Sequence, residues 1–180
     1  FSSHQFNVGM DEPWELGQGW SKDQINKIGK DKVYLNHLDG IRKLVESHGK
    51  EMQFWADVLL ENPDNAKLLP SSASPVIWGY EPNHPFQEQA KVISDCNLRY
   101  CLAPGTGSWR SFSGRWPNAI KNIDSAITNA KEYDAEGILL TIGVIVEITT
   151  PGQPFILLFC MEQHRHGEAN QSVKGILYMA

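Results

Sequence analysis

The sequence predicts an α/β fold in which about five parallel strands alternate with helices. Two patterns predict it. Short apolar runs alternate with amphipathic helical stretches through the first two-thirds of the chain, and parallel strands, buried on both faces, read as such runs. Polar and aromatic residues also cluster just after each run: Asp11-Glu12, Trp55-Asp57, Trp78-Tyr80-Glu81 and Thr106-Ser108-Trp109. They mark the carboxyl end of the sheet. A (β/α)8 barrel carries its chemistry there, whereas a doubly wound sheet carries it at a switch point. No glycine-rich phosphate fingerprint follows any strand, which disfavours a dinucleotide site.

The elements follow in order. Gln5 to Val8 predicts the first strand. Ser21 to His48 predicts a long helix that starts at Ser-Lys-Asp-Gln, stops at Gly49 and turns Ile41, Leu44 and Val45 inward. Glu51 to Trp55 predicts a strand, Ala56 to Leu60 a helical turn, and Pro63 to Pro75 a loop with a short helical piece. Val76 to Trp78 predicts the third strand and Pro85 to Asn97 a helix resting on Phe86, Ala90 and Ile93. Arg99 to Leu102 predicts the fourth strand, before the loop Ala-Pro-Gly-Thr-Gly-Ser-Trp. Trp116 to Tyr133 predicts a helix with Ala119, Ile120, Ile123, Ala126, Ile127 and Ala130 inward, and Gly137 to Thr141 the fifth strand.

Composition bounds the function. The 180 residues suffice for one sizeable core. A net charge of -5 gives no electrostatic reason to expect a nucleic acid or an anionic membrane as partner. No apolar run reaches the roughly 18 residues of a membrane span. Cys96, Cys101 and Cys160 are odd in number and lack the spacing of a disulfide framework or a zinc site. No signal peptide is visible, but the chain begins with Phe, so its compartment stays open. Six tryptophans is a high count for this length. Taken one at a time they predict core packing; taken together they suit a cleft that stacks on sugar rings or other flat apolar ligands.

The runs Val-Gly-Met-Asp-Glu-Pro-Trp-Glu-Leu-Gly-Gln-Gly, Phe-Trp-Ala-Asp-Val-Leu-Leu, Val-Ile-Trp-Gly-Tyr-Glu-Pro-Asn-His-Pro-Phe and Tyr-Cys-Leu-Ala-Pro-Gly-Thr-Gly-Ser-Trp, in this order, resemble the later strands of the glycoside hydrolase family 20 barrel, that of the β-N-acetylhexosaminidases. The resemblance covers about residues 6 to 141 and implies a partial TIM (β/α)8 barrel, strands four to eight. It implies hydrolysis of terminal β-linked N-acetylhexosamine, with a carbohydrate as partner and no metal or cofactor. Glu12 would be the general acid and then the base. Asp11 would orient the substrate's 2-acetamido group, whose carbonyl oxygen is the nucleophile and closes to an oxazolinium ion. Adjacent residues at a strand end point different ways, so one carboxylate can reach the leaving group and its neighbour the acetamido nitrogen. Repulsion and partial burial would raise the acid's pKa. Trp55, Trp78 and Trp109 would wall the pocket, the alternative being packing at the barrel rim, and Tyr80, Glu81 and His84 read equally as contacts to sugar hydroxyls or as residues that order their loops. Arg115 reads equally as a substrate contact or a solvated charge.

The chain departs from the family in four places. Met10 stands where many members have a small residue. The loop Ala-Pro-Gly-Thr-Gly-Ser-Trp lacks the carboxylate that many members use to hold the acetamido group. The first three strands, with an Arg for sugar hydroxyls, are not in this chain. After Thr141 the resemblance ends, where relatives carry an Asp-Trp-Gly-Asp-like segment. A gene reading GAT TGG GGT GAT TGT GGA GAT CAC AAC AC encodes Asp-Trp-Gly-Asp-Cys-Gly-Asp-His-Asn. Shifted by one base, it encodes Ile-Gly-Val-Ile-Val-Glu-Ile-Thr, the residues at 142 to 149. The same shift lets Cys160 to His166 read as Tyr-Gly-Ala-Ala-Ser-Ala-Trp. Residues 1 to 141 are therefore expected to be the carboxyl-terminal part of a glycosidase barrel, and 142 to 180 an out-of-frame or divergent tail that packs poorly. The chain alone is expected to be inactive or nearly so. Two other readings stay open: a barrel acting on a sugar without the acetamido group, and a non-catalytic sugar-binding remnant.

Overall fold

The computed structural model describes residues 2–109 and 115–142, with the backbone alone of 110, 157–162 and 175–178. The fold is α/β, with five parallel strands alternating with helices. These are β1 (Gln5–Asn7), β2 (Glu51–Trp55), β3 (Ala73–Gly79), β4 (Cys101–Pro104) and β5 (Gly137–Ile142), neighbours in that order. The helices are α1 (Lys22–Ile28), α2 (Lys30–Ser47), α3 (Asp57–Glu61), α4 (Phe86–Asp95) and α5 (Trp116–Glu132). Two strands continue the sheet: β6 (Leu157–Glu162) pairs antiparallel with β5, and β7 (Gly175–Tyr178) pairs antiparallel with β6. The expected misfit of the tail concerns side chains that lie outside the described residues. Among the described residues no helix is long and apolar enough to cross a membrane.

The chain divides into two compact units, Phe1–Val76 with Asp95–Arg99, and Ile77–Ser94 with Tyr100–Ala180. In the first unit, β1 pairs with β2 in the register Asn7↔Gln53, and β2 with β3 in the register Trp55↔Val76. Met52, Phe54, Leu59 and Val76 form its core with Leu38 from α2. In the second unit the core is built from Ile77, Phe86, Ile93, Tyr100 and Leu102, and α5 packs against β4 and β5.

Several boundaries differ from expectation, each for a physical reason. The predicted helix from Ser21 to His48 breaks at Gly29, whose φ of 86° only glycine adopts without strain. On α2 the buried stripe is Val33, Tyr34, Leu38 and Val45. Leu44 is exposed, because one helical step of about 100° carries it away from Val45. Strand β3 begins at Ala73, inside the segment expected to be a loop, because Ser-Ala-Ser-Pro has no apolar run to announce it. Strand β4 runs two residues later than predicted. On α5, Ile120 is exposed, and the buried face is Asn118, Ala119, Asn122, Ala126, Asn129 and Ala130.

Gly105, just past β4, is enclosed. A Cβ there would lie 2.6 Å from the Tyr80 ring and 2.7 Å from both Trp109 and Thr141 Oγ1. Gly105→Ala is expected to destabilise the chain by about 1–3 kcal/mol through overpacking, read as a lower urea midpoint with an unchanged m value.

Candidate functional site

The two carboxylates sit on a strained turn at the carboxyl end of β1. Pairing with β2 outlasts the strand: Val8 N–H donates to Gln53 O (2.9 Å) and Trp55 N–H to Gly9 O (2.9 Å). Asn7 Oδ1 accepts the Gly9 N–H at 2.8 Å. The backbone then turns through left-handed conformations at Gly9 (φ 76°), Met10 (φ 79°) and Glu12 (φ 40°). Two of these are not glycine, and a non-glycine residue there costs on the order of 1–3 kcal/mol. Met10 and Glu12 flank Asp11, so the strain is concentrated at the acid pair.

Two side chains from elsewhere in the first unit hold the turn. Asp57 Oδ2 accepts the Glu12 N–H at 2.9 Å, and the Tyr34 hydroxyl donates to Met10 O at 3.2 Å. Tyr34 is buried, and burial holds its phenol protonated well above the ordinary range, helped by the carboxylates of Asp57, Asp11 and Glu61. Asp11 and Glu12 are both exposed, so the partial burial expected of the acid Glu12 is not found among the described residues. Trp55, half-buried at the end of β2, belongs to this unit. A cavity of about 610 Å³ lies nearby, lined by Met10, Pro13, Leu16, Tyr34 and His37 and by neither acid.

The second unit gathers the other candidates. Trp78 stacks on Tyr80 with ring centres 5.3 Å apart, and Tyr80 meets Trp109 edge to face at 4.7 Å. All three rings are half-buried. Core packing therefore does not explain the tryptophan count: Trp14, Trp20 and Trp116 are exposed and the other three half-buried. Glu81 is engaged by Arg115, whose guanidinium forks onto both carboxylate oxygens at 2.9 Å. Arg115 is thus neither a lone solvated charge nor directed at open space. Thr106 and Ser108 place their hydroxyls 3.0 Å apart on the loop after β4.

Sequence reasoning missed what fixes these loops. Asn122 of α5 is fully buried. It donates through Nδ2 to Glu81 O (2.8 Å) and accepts through Oδ1 from Gly105 N–H (2.9 Å). One turn earlier, Asn118 Nδ2 donates to Tyr80 O at 2.7 Å. Asn118 and Asn122, four residues apart on a helix face that otherwise holds Ala119, Ala126, Asn129 and Ala130, were the available signal.

His84 lies against Phe86 with ring centres 4.5 Å apart, and its Nε2 is 2.8 Å from Gln89 Oε1. Burial lowers its pKa below the ordinary 6.5, with the Gln89 contact opposing. The folded state therefore binds this proton less readily than the unfolded chain. The corresponding stability is present above the ordinary value and is lost as pH falls below it. Acidification from about pH 7.5 to about pH 5 is expected to lower the melting temperature more in the wild type than in His84→Gln, checked by thermal unfolding across that range.

Among the described residues no group of three or more His, Cys, Asp or Glu side chains could hold a metal ion. No protein-family model matches the chain, and no curated protein matches it either.

Proposed function

We propose that this chain is the carboxyl-terminal part of a (β/α)8-barrel glycoside hydrolase resembling family 20, and that the whole enzyme removes terminal β-linked N-acetylhexosamine by substrate-assisted, retaining hydrolysis. The observation that carries this reading is the turn holding Asp11 and Glu12. It closes a parallel strand at its carboxyl end, where barrel enzymes do their chemistry, and it keeps two non-glycine residues in costly backbone conformations. Strain of that kind at a carboxylate pair supports a functional reading more than an incidental one.

The chemistry follows from the roles. Glu12, protonated, gives its proton to the glycosidic oxygen as the bond from C1 breaks. The acetamido carbonyl oxygen forms a bond to C1 on the opposite face, giving an oxazolinium ion. Asp11 accepts a hydrogen bond from the acetamido N–H and offsets the positive charge of that ring. Glu12, now a carboxylate, takes a proton from water as the water attacks C1 and opens the ring, so the anomeric configuration is retained. Bound substrate and the parts of the barrel outside this chain supply the desolvation that an exposed Glu12 lacks. The half-buried Trp78, Tyr80 and Trp109 have the flat apolar character that sugar faces stack on.

The test uses the gene restored to all eight strands and to the reading frame that encodes the Trp-Gly-Asp segment. A chromogenic β-N-acetylglucosaminide is expected to be hydrolysed and the matching β-glucoside not. Cleavage of the glucoside alone would instead support a barrel for a sugar without the acetamido group, a reading favoured by the carboxylate-free loop after β4. A sugar-binding remnant, favoured by the aromatic trio, predicts saccharide binding that survives Glu12→Gln with no turnover from any version. The frame itself is tested by the nucleotide sequence: stop codons in the alternate frame across 142–169, or no Trp-Gly-Asp there, would remove that part of the proposal.

A further inference from the structure

We propose that Asp57 and Tyr34 are positioning residues for the acid pair, each holding the backbone of one of the two strained residues that flank Asp11. The inference rests on the glycosidase reading of Asp11 and Glu12 and adds the side chains that set their geometry.

The register explains why Asp57 is placed to do this. β1 and β2 are parallel with Asn7 opposite Gln53, an offset of 46 residues that brings Gly9 beside Trp55, two residues before Asp57. The ladder proceeds through Val8 N–H to Gln53 O and Trp55 N–H to Gly9 O. Beyond that point the left-handed turn carries the backbone out of strand geometry. There the Asp57 carboxylate, in the first turn of α3, takes the Glu12 N–H at 2.9 Å. A charged acceptor makes a stronger bond than a carbonyl would.

Tyr34 holds the other strained residue. It stands near the start of α2 with 4% of its surface exposed, and its hydroxyl reaches Met10 O at 3.2 Å. A phenol is fixed as the donor in this contact, because a carbonyl oxygen can only accept. Burial keeps its proton in place. Met10 and Glu12 are thus clamped from two different elements, α2 and α3. The two left-handed residues that flank Asp11 are held from outside the turn. Strained conformations persist only where the surroundings over-determine them, and these two contacts supply that determination.

The test has two readouts. In the isotopically labelled chain, Asp57→Ala is expected to shift the Glu12 amide proton upfield and to change its amide–Hα coupling away from the positive-φ value. Asp57→Asn, which keeps an acceptor oxygen, is expected to retain most of both. Tyr34→Phe is expected to change the Met10 and Asp11 resonances in the same manner. In the restored enzyme, Asp57→Ala is expected to lower kcat about fivefold to tenfold with KM unchanged, and Asp57→Asn to recover most of the loss. A Glu12 amide that does not respond to Asp57→Ala overturns the positioning role and leaves the glycosidase reading standing. A responsive amide with unchanged kcat also overturns it, because the contact would then be structural only. A restored wild-type enzyme without turnover overturns the glycosidase reading, and the positioning role with it.

Discussion

Glu12→Gln in the restored enzyme is expected to reduce kcat on a β-N-acetylhexosaminide with a poor leaving group by about a hundredfold to ten-thousandfold. The amide cannot protonate the glycosidic oxygen and cannot later take a proton from water. With a 4-nitrophenyl leaving group, which departs without help, the loss in the first step should be far smaller, and the second step should become limiting. That contrast is specific to an acid that turns base. Asp11→Asn should behave otherwise. Its loss should persist whatever the leaving group, because it affects the nucleophile: the acetamido group loses its charged hydrogen-bond acceptor, and the oxazolinium ring its counter-charge. If Glu12→Gln costs less than tenfold on the poor leaving group, Glu12 is not the acid.

Asn122→Ala is expected to have the largest effect on stability, about 2–5 kcal/mol by chemical denaturation. Asn122 is 0% exposed and makes two hydrogen bonds of opposite sense, to Glu81 O and from Gly105 N–H. Truncation strands one buried acceptor and one buried donor and opens a small cavity. Asn122→Asp keeps the acceptor for Gly105 but loses the donor to Glu81 and buries a charge, so it should cost as much or more. The loops it joins carry Tyr80, Glu81 and Gly105, so the same variant should loosen the Trp78–Tyr80–Trp109 cluster, read as altered tryptophan fluorescence below the unfolding transition. A loss under about 1 kcal/mol would mean that water replaces both contacts.

The regular architecture was legible because parallel strands announce themselves. Glu-Met-Gln-Phe-Trp and Gly-Ile-Leu-Leu-Thr are apolar runs bounded by polar turns, and they became β2 and β5 with bounds within a residue. β3 was half legible, since its first residues are small and include a proline. Helix faces were less legible where the apolar residue is not the buried one. On α5 the expected Ile120 is outside and Asn122 inside, because three asparagines there meet backbone groups or the helix itself and the alanines allow a close approach. No hydrophobic period can see that. At the candidate site, the position of Asp11 and Glu12 after a strand could be read directly. The left-handed torsions at Met10 and Glu12 could not, since neither residue type advertises them. Asp57 and Tyr34 were invisible as partners of the turn because their contacts depend on register and on helix packing, over separations of 45 and 24 residues. Arg115 was ambiguous in the sequence for the same reason; its fork onto Glu81 spans 34 residues.

The central claim is that Asp11 and Glu12 serve a nucleophile carried by the substrate. The most direct measurement is the rate of the restored enzyme on a series of aryl β-glucosaminides whose N-acetyl group carries zero to three fluorines. Each fluorine withdraws electron density from the carbonyl oxygen and changes the size of the acyl group little. The account predicts that kcat/KM falls steeply and monotonically across the series and that Asp11→Asn flattens the dependence. Rates independent of fluorination would contradict it, because the carbonyl oxygen would then play no part in displacing the leaving group.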